Sequence, residues 1–306
     1  MSDPNKILVT GGSGLVGSCI SGTHKPRSSE LNLMCLDSLV SYIKDNDIRQ
    51  IIHCAARVGG VKENNDKPAE FFYENTQMTL NILEAARLCN VEKTVCVLST
   101  CIFPAEATYP ITTDQIHLGE PHKSNYGYGY AKRMTEVNAR AYRDQYGMDI
   151  VTVVPCNVYG VGDNFNVNSS HVIPGLIHKY YLAKRDDTDV TIWGGGLAKR
   201  EFIYNRDLGR IIDWVVENYN DTEPLIISPD EEISIASLSN EIASIFEFFN
   251  TILYDNSMPD GMMRKPSDNS KLKKLLPDFS YTSIRDGLKE TIEWFNENYD
   301  KGNVRL

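Results

Sequence analysis

The sequence predicts an α/β protein: a doubly wound parallel sheet followed by a smaller C-terminal α+β lobe. Two patterns carry that prediction. Through residues 7–160, short apolar runs alternate with stretches of helical length, as in parallel sheets covered by helices on both faces. After Gly160 the alternation loosens into polar loops, short strands and further helices.

Taken in order, the apolar run Ile7–Val9 reads as a first strand, and "TGGSGLVG" after it as a tight turn and helix start. "LNLMCLD" (31–37), a helical stretch (38–48) and the strand "QIIHCAA" (50–56) follow. A long helix covers about 69–90. "KTVCVLSTCIF" (93–103) runs from strand to loop. The helix over 127–146 ends at Gly147, and 149–160 is again strand and loop. Beyond these, "DNFNVNSSHVIPGLIHKYYLAK" (163–184) is a polar loop leading into a helix. "VTIWGGG" is a short strand and turn, and 205–219 is a helix returning to the first domain. Strands are expected near 224–228 and 251–255, with helices near 236–247 and 282–299. Apolar residues at 284, 288, 292, 295 and 299 give the last helix one apolar stripe. The expected division is a dinucleotide-binding domain of residues 1–165 with 202–222, and a substrate lobe of 166–201 and 223–306.

Composition narrows the function. The chain has 306 residues, 42% hydrophobic and 24% charged, an ordinary globular balance. A net charge of −10 argues against a nucleic-acid surface or an anionic membrane as partner, so cations that meet an anionic ligand must be local. No basic-then-apolar start resembles a signal peptide, and no apolar run approaches about 18 residues. The seven cysteines (19, 35, 54, 89, 96, 101 and 156) form no C-x-x-C pair and read as reduced thiols of a cytoplasmic protein. His53, His117, His122 and His178 show no metal-ligand spacing, and no metal is assigned.

Three groups of residues carry chemistry. Gly11, Gly14 and Gly17 directly follow a strand. Glycines there permit the sharp turn and the close backbone approach that a dinucleotide's pyrophosphate needs, and the helix start would add N–H groups and dipole. The sheet is therefore expected to be of Rossmann type. Asp37 lies 20 residues after Gly17, the place of an acid on the ribose of NAD. Lys25 and Arg27 precede it and would suit the 2′-phosphate of NADP, so spacing alone leaves both cofactors open. In "NYGYGYAKRM" (125–134), Tyr126, Tyr128 and Tyr130 alternate as in a strand, but Lys132 follows Tyr128 by four. On a helix the two share a face, and the cation is expected to lower the tyrosine pKa below its usual value of about 10.

With these residues in hand, the chain resembles the GDP-L-fucose synthases, a branch of the extended short-chain dehydrogenase/reductases. The resemblance runs from residue 6 to about 299. It rests on "VTGGSGLVG", "VGG" (58–60), "LSTCIFP", "YGYAKR", "GDNFN", "HVIPGLIHK", "IWGGG" and "REFIY". It implies NADPH-dependent epimerisation at C3 and C5 and reduction at C4 of GDP-4-keto-6-deoxy-D-mannose. By resemblance, Ser99 hydrogen-bonds the C4 oxygen, Tyr128 gives it a proton with Lys132 as partner, and Cys101 and His171 are the acid/base pair of epimerisation. The cofactor would lie on Gly11, Gly12, Ser13, Gly14, Leu15, Val16, Gly17, Arg27, Asp37, Ala55, Ala56, Leu98, Lys132, Pro155, Asn157, Val158 and His171. The GDP-sugar would lie on Asn164, Phe165, Lys179, Trp193, Arg200, Asp260 and Lys265. The resemblance also implies a homodimer joined through the helices near 69–90 and 127–146.

The chain departs from the family pattern in three places. It is about ten residues shorter between Gly17 and "ELNLMCLD", so either residues 31–36 take the place of the second strand or that strand is missing. Cys156 stands where threonine is usual, and Val161-Gly162 replaces Pro-His. Two other readings stay open. One is another nucleotide-sugar epimerase or dehydratase of the same fold. Cys101, where a dehydratase carries an acidic pair, counts against the dehydratase. The other is a cofactor-binding relative impaired by the short segment.

Overall fold

The computed structural model describes residues 3–257 and 262–306. The N-terminal half contains β1 (Ile7–Thr10), α1 (Leu36–Asp45), β2 (Gln50–His53), α2 (Val61–Asp66), α3 (Pro68–Leu88), β3 (Lys93–Val97), α4 (Tyr126–Tyr146), β4 (Ile150–Pro155) and β5 (Asn157–Tyr159). There follow α5 (Val172–Asp186), β6 (Val190–Trp193), β7 (Lys199–Tyr204), α6 (Asn205–Asn218), β8 (Leu225–Ile227), β9 (Glu232–Ser234), α7 (Ile235–Phe246), β10 (Ile252–Asp255), α8 (Ser270–Leu275) and α9 (Ile284–Tyr299).

The main sheet has the order β1-β2-β3-β4-β8, all pairs parallel. Side chains alternate across it, as the pleat requires. Ile7, Val9 and Ile52 face a core built with Leu208, Ile211 and Ile212 of α6. Leu8 and Ile51 face the opposite core, with Leu39 and Ile43 of α1 and Ile82 of α3. Both faces are thus covered, which is why the middle positions of β1 and β2, Leu8, Val9, Ile51 and Ile52, are apolar on both sides of the pleat. A third core belongs to the C-terminal lobe, where Tyr180 of α5, Leu238 and Ile242 of α7 and Phe295 of α9 are buried together. There β5-β7-β9 and β10-β6 form two small sheets.

The helices expected at 69–90, 127–146, 205–219, 236–247 and 282–299 begin and end within two residues of those positions, while the stretch expected at 38–48 is a helix over Leu36–Asp45. The stretch after the glycine turn differs. Instead of a helix there is one 3-10 turn, Gly17–Cys19, and the chain then runs as an irregular strap to α1. Residues 31–36 do not become the second strand: Leu31 packs with Leu8 and Leu39 in the core beneath α1. What remains of a second strand is a single parallel bridge from Leu8 to His24, with Val9 N donating to the His24 carbonyl at 2.9 Å. The reason is length. Residues 18–35 cannot hold a helix of about 11 residues, a strand of about 5 and their turns. Asp37 accordingly opens α1 as an exposed first-turn residue rather than ending a strand.

The strap is held from several sides. Ser21 N and Oγ donate to the Asp213 carboxylate of α6 at 2.9 and 2.8 Å, and Thr23 N donates to the Pro4 carbonyl at 3.0 Å. Cys19 lies on Gly209 of α6 so closely that a Cβ at Gly209 would stand 2.4 Å from the Cys19 carbonyl oxygen. Gly209→Ala is therefore expected to cost about 1–3 kcal/mol of stability through overpacking. Thermal and urea unfolding would measure it, and an unchanged midpoint would contradict the contact.

Candidate active site

The glycine turn crosses the C-terminal end of β1. Gly11 has φ +68°, and a Cβ there would lie 2.8 Å from Ala55 N, at the end of β2. Gly14 N closes on the Gly11 carbonyl at 2.9 Å, and a Cβ at Gly17 would stand 2.4 Å from that oxygen. Only bare backbone fits, and the turn with Ser13, Leu15 and Val16 forms the kind of cradle that admits a diphosphate. Asn205, at the start of α6, ties the loop to the segment after β5 by donating from Nδ2 to the Leu15 carbonyl at 3.0 Å and the Val161 carbonyl at 3.1 Å. Ala55 and Ala56 follow β2, and Ala55 N donates to Thr10 Oγ1 at 3.3 Å. Pro155 ends β4, while Asn157 and Val158 begin β5, with Asn157 Nδ2 on the Glu201 carbonyl at 2.8 Å. Leu98 directs its side chain into the core, leaving its backbone to meet a ligand. The residues present thus fit a dinucleotide.

Beyond β3 the chain turns at Ser99, whose Oγ accepts from Cys101 N at 3.3 Å and so caps the 3-10 turn Thr100–Ile102. A side-chain hydrogen bond joins Ser99 to Tyr128 on α4, and Cys101 lies close enough that a charge there would act on the same phenol. Ser99, Cys101 and Tyr128 therefore form one cluster. Phe71 of α3 packs edge-on against the Tyr128 ring, with centroids 6.5 Å apart.

The expected lowering of the Tyr128 pKa is not what the structure gives. Burial raises it, a charge on Cys101 would raise it further, and only the Ser99 hydrogen bond pulls it back. Lys132 does share the helix face, but its Nζ donates to the Val97 carbonyl at 2.8 Å, and it is 4% exposed. Burial lowers its own pKa to about 8. The ammonium is spent on the end of β3 instead of on the phenol, so Tyr128 keeps its proton at neutral pH.

His171 is the residue before α5. It is open to water on one side, yet surrounded closely enough by protein that desolvation lowers its pKa and leaves the ring neutral near pH 7. Lys179 Nζ donates to the Thr191 carbonyl at 2.9 Å and lies 4.9 Å from the centroid of Trp193, which is 55% exposed. Arg200 is held by the carbonyls of Lys199 and Met262 at 2.7 and 2.6 Å. Lys265 reaches inward to the Thr100 carbonyl at 2.6 Å, beside Cys101, and burial lowers its pKa.

Three of the expected ligand contacts fare differently. Phe165 is fully buried against Phe295, its N donates to the Arg305 carbonyl and its own carbonyl meets His178, so it is a core residue with no group left for a sugar. Asn164 is engaged in its own loop, with Ser169 and Asn166. Arg27 is exposed, and its backbone N–H meets the Glu30 carboxylate. Asp260 lies outside the described residues.

The comparisons with known proteins agree with this geometry. A model of the NAD dependent epimerase/dehydratase family matches residues 7–228. The chain belongs to the NAD dependent epimerase/dehydratase family. Within that family it is 44% identical over 307 residues to the GDP-L-fucose synthase of Dictyostelium discoideum, covering 96% of each chain. It is 38% identical over 319 residues to a probable GDP-L-fucose synthase of Drosophila melanogaster, covering 97% of this chain and 98% of that one. The crystal structure of a GDP-L-fucose synthetase from Naegleria fowleri bound to NADP superposes with a TM-score of 0.93 at 34% identity, covering 100% of this chain and 98% of that one.

Two features of this epimerase-family site escaped the sequence reading. His53 is buried between β1, β2 and α3, with Nδ1 2.8 Å from Thr10 Oγ1 and Nε2 3.3 Å from Thr79 Oγ1, and Thr79 continues to Thr135 of α4 at 3.2 Å. Burial holds the ring neutral, its pKa lowered to about 3. The second is Glu201 in "REFIY", a carboxyl 5% exposed. Its Oε1 accepts from Ser267 N at 3.0 Å, and desolvation raises its pKa to about 7. An acidic residue inside an apolar strand was the available signal. Between about pH 4.3, the usual value for a free glutamate, and pH 7, the folded chain keeps a proton here that the unfolded chain releases. This group's stabilising contribution is thus complete at the acid end and lost as pH rises through the window. Asp163, also raised to about 7 by burial, acts in the same direction. Glu201→Gln is expected to flatten, without abolishing, the decline of the thermal midpoint across that range. An identical decline in both proteins would contradict the assignment.

Proposed function

We propose that the chain is a GDP-L-fucose synthase, an NADPH-dependent oxidoreductase and epimerase that converts GDP-4-keto-6-deoxy-D-mannose to GDP-L-fucose. The observation that carries this reading is the convergence of Ser99, Cys101 and Tyr128 beside a glycine cradle, in a chain 44% identical to a named synthase across nearly its whole length.

The chemistry divides between the two sides of a C4 ketone. C3 and C5 both flank that carbonyl, so their protons are acidified by it. Ser99 hydrogen-bonds the carbonyl oxygen and steadies the negative charge that gathers there when a neighbouring proton leaves. His171, a neutral imidazole, accepts a proton from one face, and Cys101 exchanges one on the other; two groups on opposite faces allow inversion, where one alone would return the proton to its starting side. Bound NADPH supplies the hydride for C4. Tyr128, which holds its proton at neutral pH, gives it to the C4 oxygen, and Lys132 keeps α4 seated on β3 so that the phenol stays beside Ser99. Lys179, Trp193, Arg200 and Lys265 line the approach for the nucleotide and diphosphate, where arginine and lysine offset the chain's net charge of −10. We further propose a homodimer through α3 and α4. Its support is the apolar and aromatic surface these helices leave exposed, with Phe72, Tyr73, Leu80, Tyr126 and Val137 each at least 37% exposed. Among the described residues, no helix is long and apolar enough to cross a membrane.

Purified protein is expected to oxidise NADPH when given GDP-4-keto-6-deoxy-D-mannose, and Tyr128→Phe to reduce kcat by about 10²–10⁴-fold. Folded protein that consumes no NADPH with this sugar would defeat the reading. Cys101→Ser is expected to slow solvent deuterium exchange into the keto sugar while leaving NADPH binding within about twofold. Normal exchange in that variant would remove Cys101 from the acid/base pair.

A further inference from the structure

Dinucleotide-binding folds run the glycine turn into a helix, whose first N–H groups face the diphosphate and whose later turns satisfy the carbonyls of the first. Here the helix stops after one turn. Cys19 N and Ile20 N close on the carbonyls of Val16 and Gly17, but the next amide, Ser21, turns away to the Asp213 carboxylate. The Ser18 carbonyl would then lack its helical donor. Lys25 Nζ donates to it at 3.2 Å. The stem of the same side chain lies across the entry to the loop: a Cβ on Gly12 would stand 2.5 Å from the Lys25 Cβ. One side chain thus spans the glycine loop from its second glycine to its exit turn. The segment that leads into Lys25 is anchored twice, by Ser21 on Asp213 and by the His24 carbonyl, which accepts from Val9 N. The Lys25 charge also acts on Cys19, Cys54 and Asp213, which places it at the loop's end of the sheet.

We propose that Lys25 is a positioning residue that takes over from the missing first helix, clamping the glycine loop in the shape that receives a dinucleotide diphosphate. The proposal rests on the NADPH-dependent reading above and deepens it. It assigns Lys25 to the diphosphate, which NADPH and NADH share, and not to the 2′-phosphate that separates them.

The test is a binding titration of the intact chain with NADPH and with NADH, without sugar, for wild type, Lys25→Met and Lys25→Arg. Lys25→Met keeps the stem and removes the donor. It is expected to weaken both dinucleotides by the same factor, about tenfold, and Lys25→Arg to restore both to within about threefold of wild type. A loss confined to NADPH would make Lys25 a 2′-phosphate contact and overturn the proposal. So would a lowered melting midpoint with unchanged dissociation constants, the mark of a purely structural role. If Lys25→Met fails to fold, Lys25→Gln answers the same question, and equal affinity to wild type there would overturn it too. Wild-type protein that binds neither dinucleotide would instead overturn the cofactor reading on which the proposal stands.

Discussion

The site depends on the hydrogen bond between the Lys132 ammonium and the Val97 carbonyl. Val97 is the last residue of β3, and Lys132 lies on α4, one turn beyond Tyr128. Joining them seats the helix on the strand end. It brings the phenol against Ser99, two residues past Val97, and within the field of Cys101. Burying an ammonium is costly unless it is paired. Here the carbonyl at 2.8 Å offsets part of that cost, and the remainder appears as a pKa lowered to about 8. The cation is then fixed to the backbone, not free to ionise the phenol. Tyr128 remains a proton donor, the form in which it can quench a developing alkoxide.

A second polar path supports the same helix pair from below. Thr10, His53, Thr79 and Thr135 link β1, β2, α3 and α4 through side chains that are each at most 3% exposed. A buried imidazole with both nitrogens engaged and its pKa near 3 does not titrate over ordinary pH, so this path holds position without adding a switch. Two carboxyls do respond near neutrality, Glu201 on β7 and Asp163 in the loop after β5, both raised to about 7 by burial. Glu201 also lies close enough to Lys265 to act on it, and Lys265 reaches the Thr100 carbonyl next to Cys101. Lys265 thus links β7 to the turn after β3 that carries Ser99 and Cys101.

Much of this was legible from residues because the relevant signals are local. The doubly wound sheet follows from apolar runs alternating with helical stretches, and the glycine turn from close approaches that only Gly11 and Gly17 allow. The pairing of Tyr128 with Lys132 on one helix face follows from a four-residue spacing. What the sequence concealed depended on distance along the chain or on competition for a partner. The direction of the Tyr128 shift hinged on whether Lys132 met the phenol or the Val97 carbonyl, 35 residues away. Phe165 and Asn164 look like ligand contacts beside a polar loop, but Phe295 and Ser169 claim them first. Asp37 has the spacing of a ribose acid, yet the short strap shifts it into α1, because spacing keeps its meaning only when the intervening elements are present.

The central claim is that one pocket both inverts the sugar and reduces it. The most direct measurement is to run the complete reaction of wild-type protein in deuterium oxide and compare NADPH consumed with deuterium carried by the product. One NADPH per sugar with solvent label at both C3 and C5 is the expected result. Reduction that proceeds with neither carbon labelled would contradict the account, leaving a simple 4-reductase in which Cys101 and His171 have no part in the chemistry.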